Sequence, residues 1–260
     1  MPWTTNFVID HHTRTIQVLD SSNGKDTSAA CIAAFQSVID AAIDQNIFSI
    51  LNRMHSEHFK IMGSNYFASL ERFAALFFGI ASRGAHLTAY VRASEGLKVW
   101  VARRAPHLFI HPNKLDTSVA SGVKAAHTPL QCMIEEADEE ASLPADFVRE
   151  NIKATGVVSY VSQSPKTGLL HSNVLYVYDI ELPATMIPVP KDDEVAEFQL
   201  LTVEEIRHAM VEEQFKPNCV SVMLDFFVRH GILTEENEKD YVEIVTRLRR
   251  KLPVPTTSDA

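Results

Sequence analysis

Apolar residues along this chain recur first at helical spacing and later at strand spacing. From Ala29 to about Met54, "AACIAAFQSVIDAAIDQNIFSILNRM" repeats them every three or four positions without Pro or Gly, which predicts one or two amphipathic helices. A further helix is expected over "ASLERFAALFFGIA", with Gly79 and Gly84 near its end. The N-terminal 29 residues mix β-branched residues with the turn-rich "DSSNGKDTS", so a short strand or extended arm followed by a loop fits there.

The texture then changes. "HLTAYVRA" and "LKVWVARRA" read as two strands around "SEG", and "TGVVSYVSQ" with "LLHSNVLYVYDIELP" as another pair around "SPKTG". Between the pairs lie the loop "PHLFIHPNKLDTSVASGVKAAHT" and an acidic helix. "VAEFQLLTVEEIRHAMVEEQ" is expected to run from strand into helix, with Thr202 as N-cap and Glu205 completing a capping box. "NCVSVMLDFFVRHGI" reads as a helix closed by Gly231, and "KDYVEIVTRLRRKL" as a last one ended by Pro253 and Pro255. A helical front of about 85 residues thus precedes a mixed α/β body, with no internal repeat and no low-complexity linker.

Composition narrows the function classes. The 260 residues are 46% hydrophobic, enough for a sizeable core. A formal charge of -9, from 33 acids against 24 Lys and Arg, argues against a nucleic-acid partner or an anionic membrane surface. The N-terminus shows no basic-then-apolar signal pattern, and "FAALFFGIA" is too short to span a bilayer, so a soluble cytoplasmic protein is expected. Cys31, Cys132 and Cys219 have no CxxC pairing and read as buried thiols rather than disulfide or zinc partners.

The stretch "CMIEEADEEASLP", residues 132 to 144, places five acids among the six positions from Glu135 to Glu140. On a helical wheel, Glu136, Glu139 and Glu140 fall within roughly a 100° arc, while Leu130, Met133, Ile134, Ala137 and Ala141 share another side. No Lys or Arg occurs from Thr128 to Ala145. A solvated surface helix normally mixes signs, since like charges four apart repel. Three carboxylates at this spacing call for a hard divalent cation such as Mg²⁺, which prefers oxygen ligands and bridges to phosphates.

Preceded by "SGVKAAHTPLQ", this segment resembles the Nudix box, G-x5-E-x7-R-E-U-x-E-E-x-G-U with U aliphatic. "EEADEEASL" places Glu136, Glu139 and Glu140 on the three helix glutamates, Ala137 on the small apolar position, Ser142 on the late glycine and Leu143 on the last aliphatic. Three positions depart from the pattern. Glu135 stands in the Arg place and His127 in the upstream Glu place, and the opening Gly-Gly is reduced to Ser121-Gly122 with a one-residue spacing difference. In the general family that Arg orients the glutamates through ion pairs, so its reversal to Glu135 is expected to alter or weaken the site. "LERFAALFFGIASRGAHLTAYV", "VWVARRAPHLFIHPNKLDTSVASG", "VLYVYDIELP" and "DDEVAEFQLLTVEEI" extend the likeness to the Nudix subgroup fused to, or related to, thiamine pyrophosphokinase in fungi and plants.

The resemblance implies a Nudix α/β/α sandwich with a mixed sheet over residues 86–252, a helical N-terminal extension over 1–85 and a disordered tail over 253–260. It implies hydrolysis of an organic diphosphate to a monophosphate, with thiamine diphosphate or its damaged analogues as substrate. Mg²⁺, or Mn²⁺ in its place, would be held by Glu136, Glu139 and Glu140, with the Gly122 carbonyl as a further ligand, and would acidify a water for attack on phosphorus. Glu139 and Glu194 are the candidate general bases, and Arg103 or Arg104 the candidate phosphate contact. His107 and His111 lie in a Pro-containing loop and are not expected to bind metal, and His86 in "RGAHL" is expected to make a structural hydrogen bond. Two alternatives stay open: a specialised enzyme for another organic diphosphate such as an isoprenyl one, or a non-catalytic diphosphate-binding protein.

Overall fold

The computed structural model describes residues 1–51, 57–164 and 168–257. A mixed sheet forms its centre. Strands β5 (Ser82–Ala93), β6 (Gly96–Arg104), β7 (Leu115–Asp116), β8 (Val119–Gly122), β9 (Lys153–Gln163), β10 (Leu170–Glu181) and β11 (Val195–Thr202) join in the order β11-β6-β5-β10-β9, with β7 on β6 and β8 on β5. Only the β10 to β5 pairing is parallel; the remaining pairs of this sheet are antiparallel.

Helices cover both faces, so β5 is buried almost throughout rather than alternating between core and solvent. Its Ala85, Leu87, Ala89 and Val91 pack against Cys132, Met133, Ala137 and Ala141 of α2 (Pro129–Ala141), with α3 (Ala145–Asn151) beside them. Tyr90 on the opposite face meets Ile206 of α4 (Val203–Val211) and Met223 and Phe226 of α5 (Pro217–Arg229). The last helix, α6 (Tyr241–Leu248), closes a smaller cluster against β9 and β10. This is the sandwich expected from the resemblance. The expected strand pairs, the Thr202 and Glu205 capping box of α4 and the left-handed Gly231 after α5 are all present.

The front of the chain departs from a purely helical reading. It holds the antiparallel strands β1 (Phe7–Asp10) and β2 (Thr15–Val18), the helix α1 (Thr27–Asp44), and a second antiparallel pair, β3 (His58–Lys60) and β4 (Ser69–Glu71). Of the one or two helices expected to Met54, α1 stops at Asp44, and Asn46 takes the left-handed conformation at φ 49; the last residues of that stretch, 52–54, lie outside the described residues. The "ERFAALFFG" segment winds as a 3-10 helix, Arg72–Phe78, capped by Glu71 at its start and by left-handed Gly79 at its end. These elements enclose a core of their own around Phe35, Val38, Ile39, Leu70 and Phe73.

The loop reading of 106–128 also needs correction, because β7 and β8 lie within it. Strands of two and four residues are too short to carry a periodic signal. The "SPKTG" turn falls at 164–168, of which 165–167 lie outside the described residues. Of the tail expected to be disordered, 253–260, the Thr257 carbonyl accepts from the Gly63 N–H at 2.6 Å, so the stretch to 257 packs back on the front of the chain, and 258–260 lie outside the described residues.

Candidate active site

Helix α2 is capped at its start by local side chains and at its end by the left-handed backbone of Ser142. The Thr128 hydroxyl accepts from the Gln131 N–H at 3.2 Å and the Gln131 side chain accepts from the Thr128 N–H at 2.9 Å. At the far end Ser142, in the position of the box glycine, takes a left-handed φ of 55 and donates its hydroxyl to the Val189 carbonyl at 2.9 Å. The apolar stripe of the helix is buried against β5 and β8.

The five acids separate by environment. Glu136 and Glu140 are buried, Asp138 is half-buried, and Glu135 and Glu139 are exposed. Each of three acids meets a cationic or titratable partner from outside the helix. Lys124 Nζ lies 3.4 Å from Glu136 Oε1, Lys191 Nζ 2.7 Å from Asp138 Oδ2, and His127 Nδ1 3.0 Å from Glu135 Oε2. Burial pushes the Glu136 carboxyl above its ordinary range, and Lys124 pulls it partly back. Among the described residues, Glu140 has no cation partner. It accepts a hydrogen bond from the Ala120 N–H at 3.3 Å, and burial, followed by the like charges of Glu136 and Asp116, holds its carboxyl well above the usual value.

The two departures from the box pattern therefore face each other. Where that pattern has Glu and then Arg, this chain has His127 and then Glu135, which lie 3.0 Å apart but without hydrogen-bond geometry at His127 Nδ1.

A narrow cleft beside α2 is lined by Ala102, Arg104, Thr117, Ala120, Glu140 and Glu194, with Asp116 at its base. Glu140 and Glu194, distant in sequence, are thus brought together. Arg104 and Arg103 part company because neighbouring residues on a strand face opposite ways. Arg104 donates to the Ile110 carbonyl and, at 3.3 Å, to Asp116, whereas Arg103 pairs with Glu197 at 2.9 Å on the exposed edge. The Gly122 carbonyl is turned toward α2, where the Cys132 thiol donates to it at 3.5 Å. Burial pushes that thiol up to about 12, so it stays protonated.

Among the described residues, the one trio of His, Cys, Asp or Glu whose ligand atoms lie within 4.8 Å of each other is His86, Asp116 and Cys219. Its chemistry argues against a cation. Asp116 already accepts from Lys216 at 3.1 Å, Arg104 at 3.3 Å and the Cys219 thiol at 2.7 Å, and these bonds and charges hold its carboxyl below the usual range although burial opposes them. His86 Nδ1 donates to the Thr117 hydroxyl at 2.9 Å and Nε2 accepts from the Asn218 amide at 3.2 Å, while burial lowers its pKa to about 4. His86 is accordingly a neutral, structurally bonded histidine, as expected. Glu136, Glu139 and Glu140 do not converge as closely, but they are the all-oxygen set with an unsatisfied charge: two are buried, one has no cation and one is held by a lysine. That set fits a hard divalent cation. His107 contacts Asp193 at 3.6 Å, and neither it nor His111 joins a ligand cluster among the described residues.

Lys124 and Asp116 were not singled out by sequence reasoning. Lys124 carries a usable signal, since it stands two residues after the box glycine, but "KLDTS" gives none for Asp116.

This fold, with an acid-bearing helix against the strand that precedes it, defines a Nudix-type architecture. The NUDIX domain family matches residues 83–219, and the chain belongs to that family. It is 38% identical over 198 residues to the Saccharomyces cerevisiae protein YJR142W, covering 72% of this chain and 58% of that one. It is 32% identical over 186 residues to Nudix hydrolase 20, chloroplastic, of Arabidopsis thaliana, covering 71% and 49%. The chain thus spans about half the length of these curated relatives. Among solved structures it is similar to DR0079 from Deinococcus radiodurans, at 27% identity over 52% of this chain and 75% of that one, with a TM-score of 0.38. Nudix hydrolases generally use divalent metal ions. No helix among the described residues is long and apolar enough to cross a membrane.

Proposed function

We propose that this chain catalyses the divalent-metal-dependent hydrolysis of an organic diphosphate to a monophosphate, with thiamine diphosphate or one of its damaged analogues as substrate. The observation that carries the reading is the setting of α2: buried Glu140 lines a cleft with Glu194 and Arg104, buried Glu136 lies one turn earlier on the same helix, and the Gly122 carbonyl faces that helix. Glu136, Glu139, Glu140 and the Gly122 carbonyl are the proposed ligands, an oxygen set suited to Mg²⁺ and able to take Mn²⁺. When bound, the cation supplies charge neutralisation for the diphosphate and Lewis acidity toward a water nucleophile.

The remaining work falls to the side chains. The oxygen of water bonds to phosphorus, the bridging P–O bond breaks, and a carboxylate takes the proton. Glu139, exposed on the acidic face, and Glu194, at the cleft mouth, are the two groups proposed for that proton. Arg104 is the better-placed phosphate contact, because its guanidinium reaches the cleft; Arg103 would first have to leave Glu197.

The test is phosphate release across a panel of thiamine and isoprenyl diphosphates with and without Mg²⁺ or Mn²⁺. Metal-dependent release from a thiamine diphosphate is expected, with Glu139→Gln lowering it by about a hundredfold or more. Release confined to the isoprenyl members would move the substrate class. No release from any member, with ligand binding intact in Glu139→Gln, would leave a binding protein and overturn the enzymatic reading.

A further inference from the structure

Lys124 occupies a position with consequences for how the acidic helix meets its cation. Its ammonium lies 3.4 Å from Glu136 Oε1, against a side chain that is only 11% exposed, while Lys124 itself is 37% exposed. The lysine stands two residues past β8, where the adjoining backbone is held beside the front of the chain: the Ala125 N–H donates to the His58 carbonyl at 2.8 Å, and the Phe59 ring lies against Gly122. The same register brings Glu57 close enough to interact electrostatically with Lys124. Glu57 pairs in turn with Arg72 at 3.1 Å. Charges of alternating sign therefore run from the front of the chain to the box helix: Arg72, Glu57, Lys124, Glu136, with Glu139 also within the influence of Lys124.

We propose that Lys124 is a built-in counter-ion that holds Glu136 until a divalent cation takes its place, and that Glu57 receives the displaced ammonium. This rests on the assignment of Glu136, Glu139 and Glu140 as the cation ligands. A divalent cation on Glu136 and an ammonium within 4 Å of the same carboxylate repel each other, so one must leave. A lysine is suited to leave because its charge rides on a flexible four-carbon stem, unlike the planar fork of arginine. Glu57 provides the nearby negative charge that keeps the released ammonium out of bulk water. The front of the chain thereby acts on cation affinity through Lys124, and Glu57 is a positioning residue rather than a catalytic one.

The experiment is calorimetric titration of the full chain with Mn²⁺ alone, at mildly alkaline pH, for wild type, Lys124→Met, Glu57→Gln and the double variant. Lys124→Met is expected to tighten Mn²⁺ binding by roughly threefold to tenfold, the effect of losing one half-buried competing charge. Glu57→Gln is expected to weaken binding when Lys124 is present and to change nothing when Lys124 is absent, a non-additivity that marks coupling through the lysine. Unchanged or weaker binding in Lys124→Met overturns the proposal, as does a Glu57→Gln effect that persists in the double variant. Glu136→Gln and Glu139→Gln separate the two readings: if Mn²⁺ binds wild type but these variants bind it equally well, the ligand assignment fails with the proposal, whereas their loss of binding leaves the assignment standing whatever Lys124→Met does. Circular dichroism confirms that each variant is folded, and Lys124→Arg, which keeps the charge on a less displaceable planar fork, is expected to bind Mn²⁺ more weakly than wild type.

Discussion

Replacing Glu140 by Gln should make the cation-free protein more stable while removing its stabilisation by metal. Glu140 is 7% exposed, has a single backbone donor in Ala120 and no cation, and shares its surroundings with Glu136, Asp116 and Glu194. Its folded pKa lies well above the unfolded one, so the folded state binds more protons than the unfolded state. Stability therefore falls as pH rises from the unfolded carboxyl value near 4.5 toward the raised folded one, and the full penalty is present above that. Gln keeps the acceptor for Ala120 and removes the charge. Lifting a poorly compensated buried charge is worth about 1–3 kcal/mol, with part of it offset by the new amide N–H groups. For a chain of this length each 1 kcal/mol moves Tm by about 2–4 °C, so a rise of roughly 2–10 °C at pH 8 is expected, shrinking toward zero near pH 4.5. Wild type should regain stability with Mn²⁺, by about 2.7 kcal/mol at a hundred times Kd, and Glu140→Gln should gain far less. Thermal unfolding followed by circular dichroism, at several pH values with and without Mn²⁺, measures all of this. A Glu140→Gln variant that melts lower than cation-free wild type at pH 8 would refute the reasoning.

Three further outcomes follow from the same geometry. A Cβ added at Gly122 would come to 2.9 Å from two carbons of the Phe59 ring, so Gly122→Ala should cost about 1–3 kcal/mol in chemical denaturation, and Phe59→Leu in the same chain should recover part of it. His127→Glu sets two carboxylates together at a contact that is 30% and 47% exposed; the cost should stay below about 1 kcal/mol and be reversed by adding Glu135→Arg, as read from paired melts. His86, with its folded pKa lowered to about 4, binds fewer protons folded than unfolded, so its contribution is complete above pH 6.5 and is lost as pH falls toward 4. His86→Gln should flatten that acid limb relative to wild type, and an unchanged limb would show that the histidine is not buried neutral.

Much of the sandwich was legible from the chain. The long strands β5, β6, β9 and β10 announced themselves through β-branched runs around turns, and α4 through Thr202 and Glu205, because these signals act between residues a few positions apart. The short β7 and β8 and the β3–β4 pair were not legible, and of the β1–β2 pair only a short strand was expected. Two to four residues give no period, and the 3-10 helix at Arg72–Phe78 carries an apolar pattern that an α-helix would share.

Spacing along the chain was enough to show which residues share a face of α2 and that its acids have no cation among their helical neighbours. Those properties depend on positions along one helix. The folded arrangement alone sets that Glu136 and Glu140 are buried while Glu139 is not, that Glu194 and Arg104 meet Glu140 in one cleft, and that the missing positive charges arrive from Lys124 and Lys191. Burial and charge pairing depend on distances through space between residues remote in the chain, and a pattern along the backbone does not contain those distances.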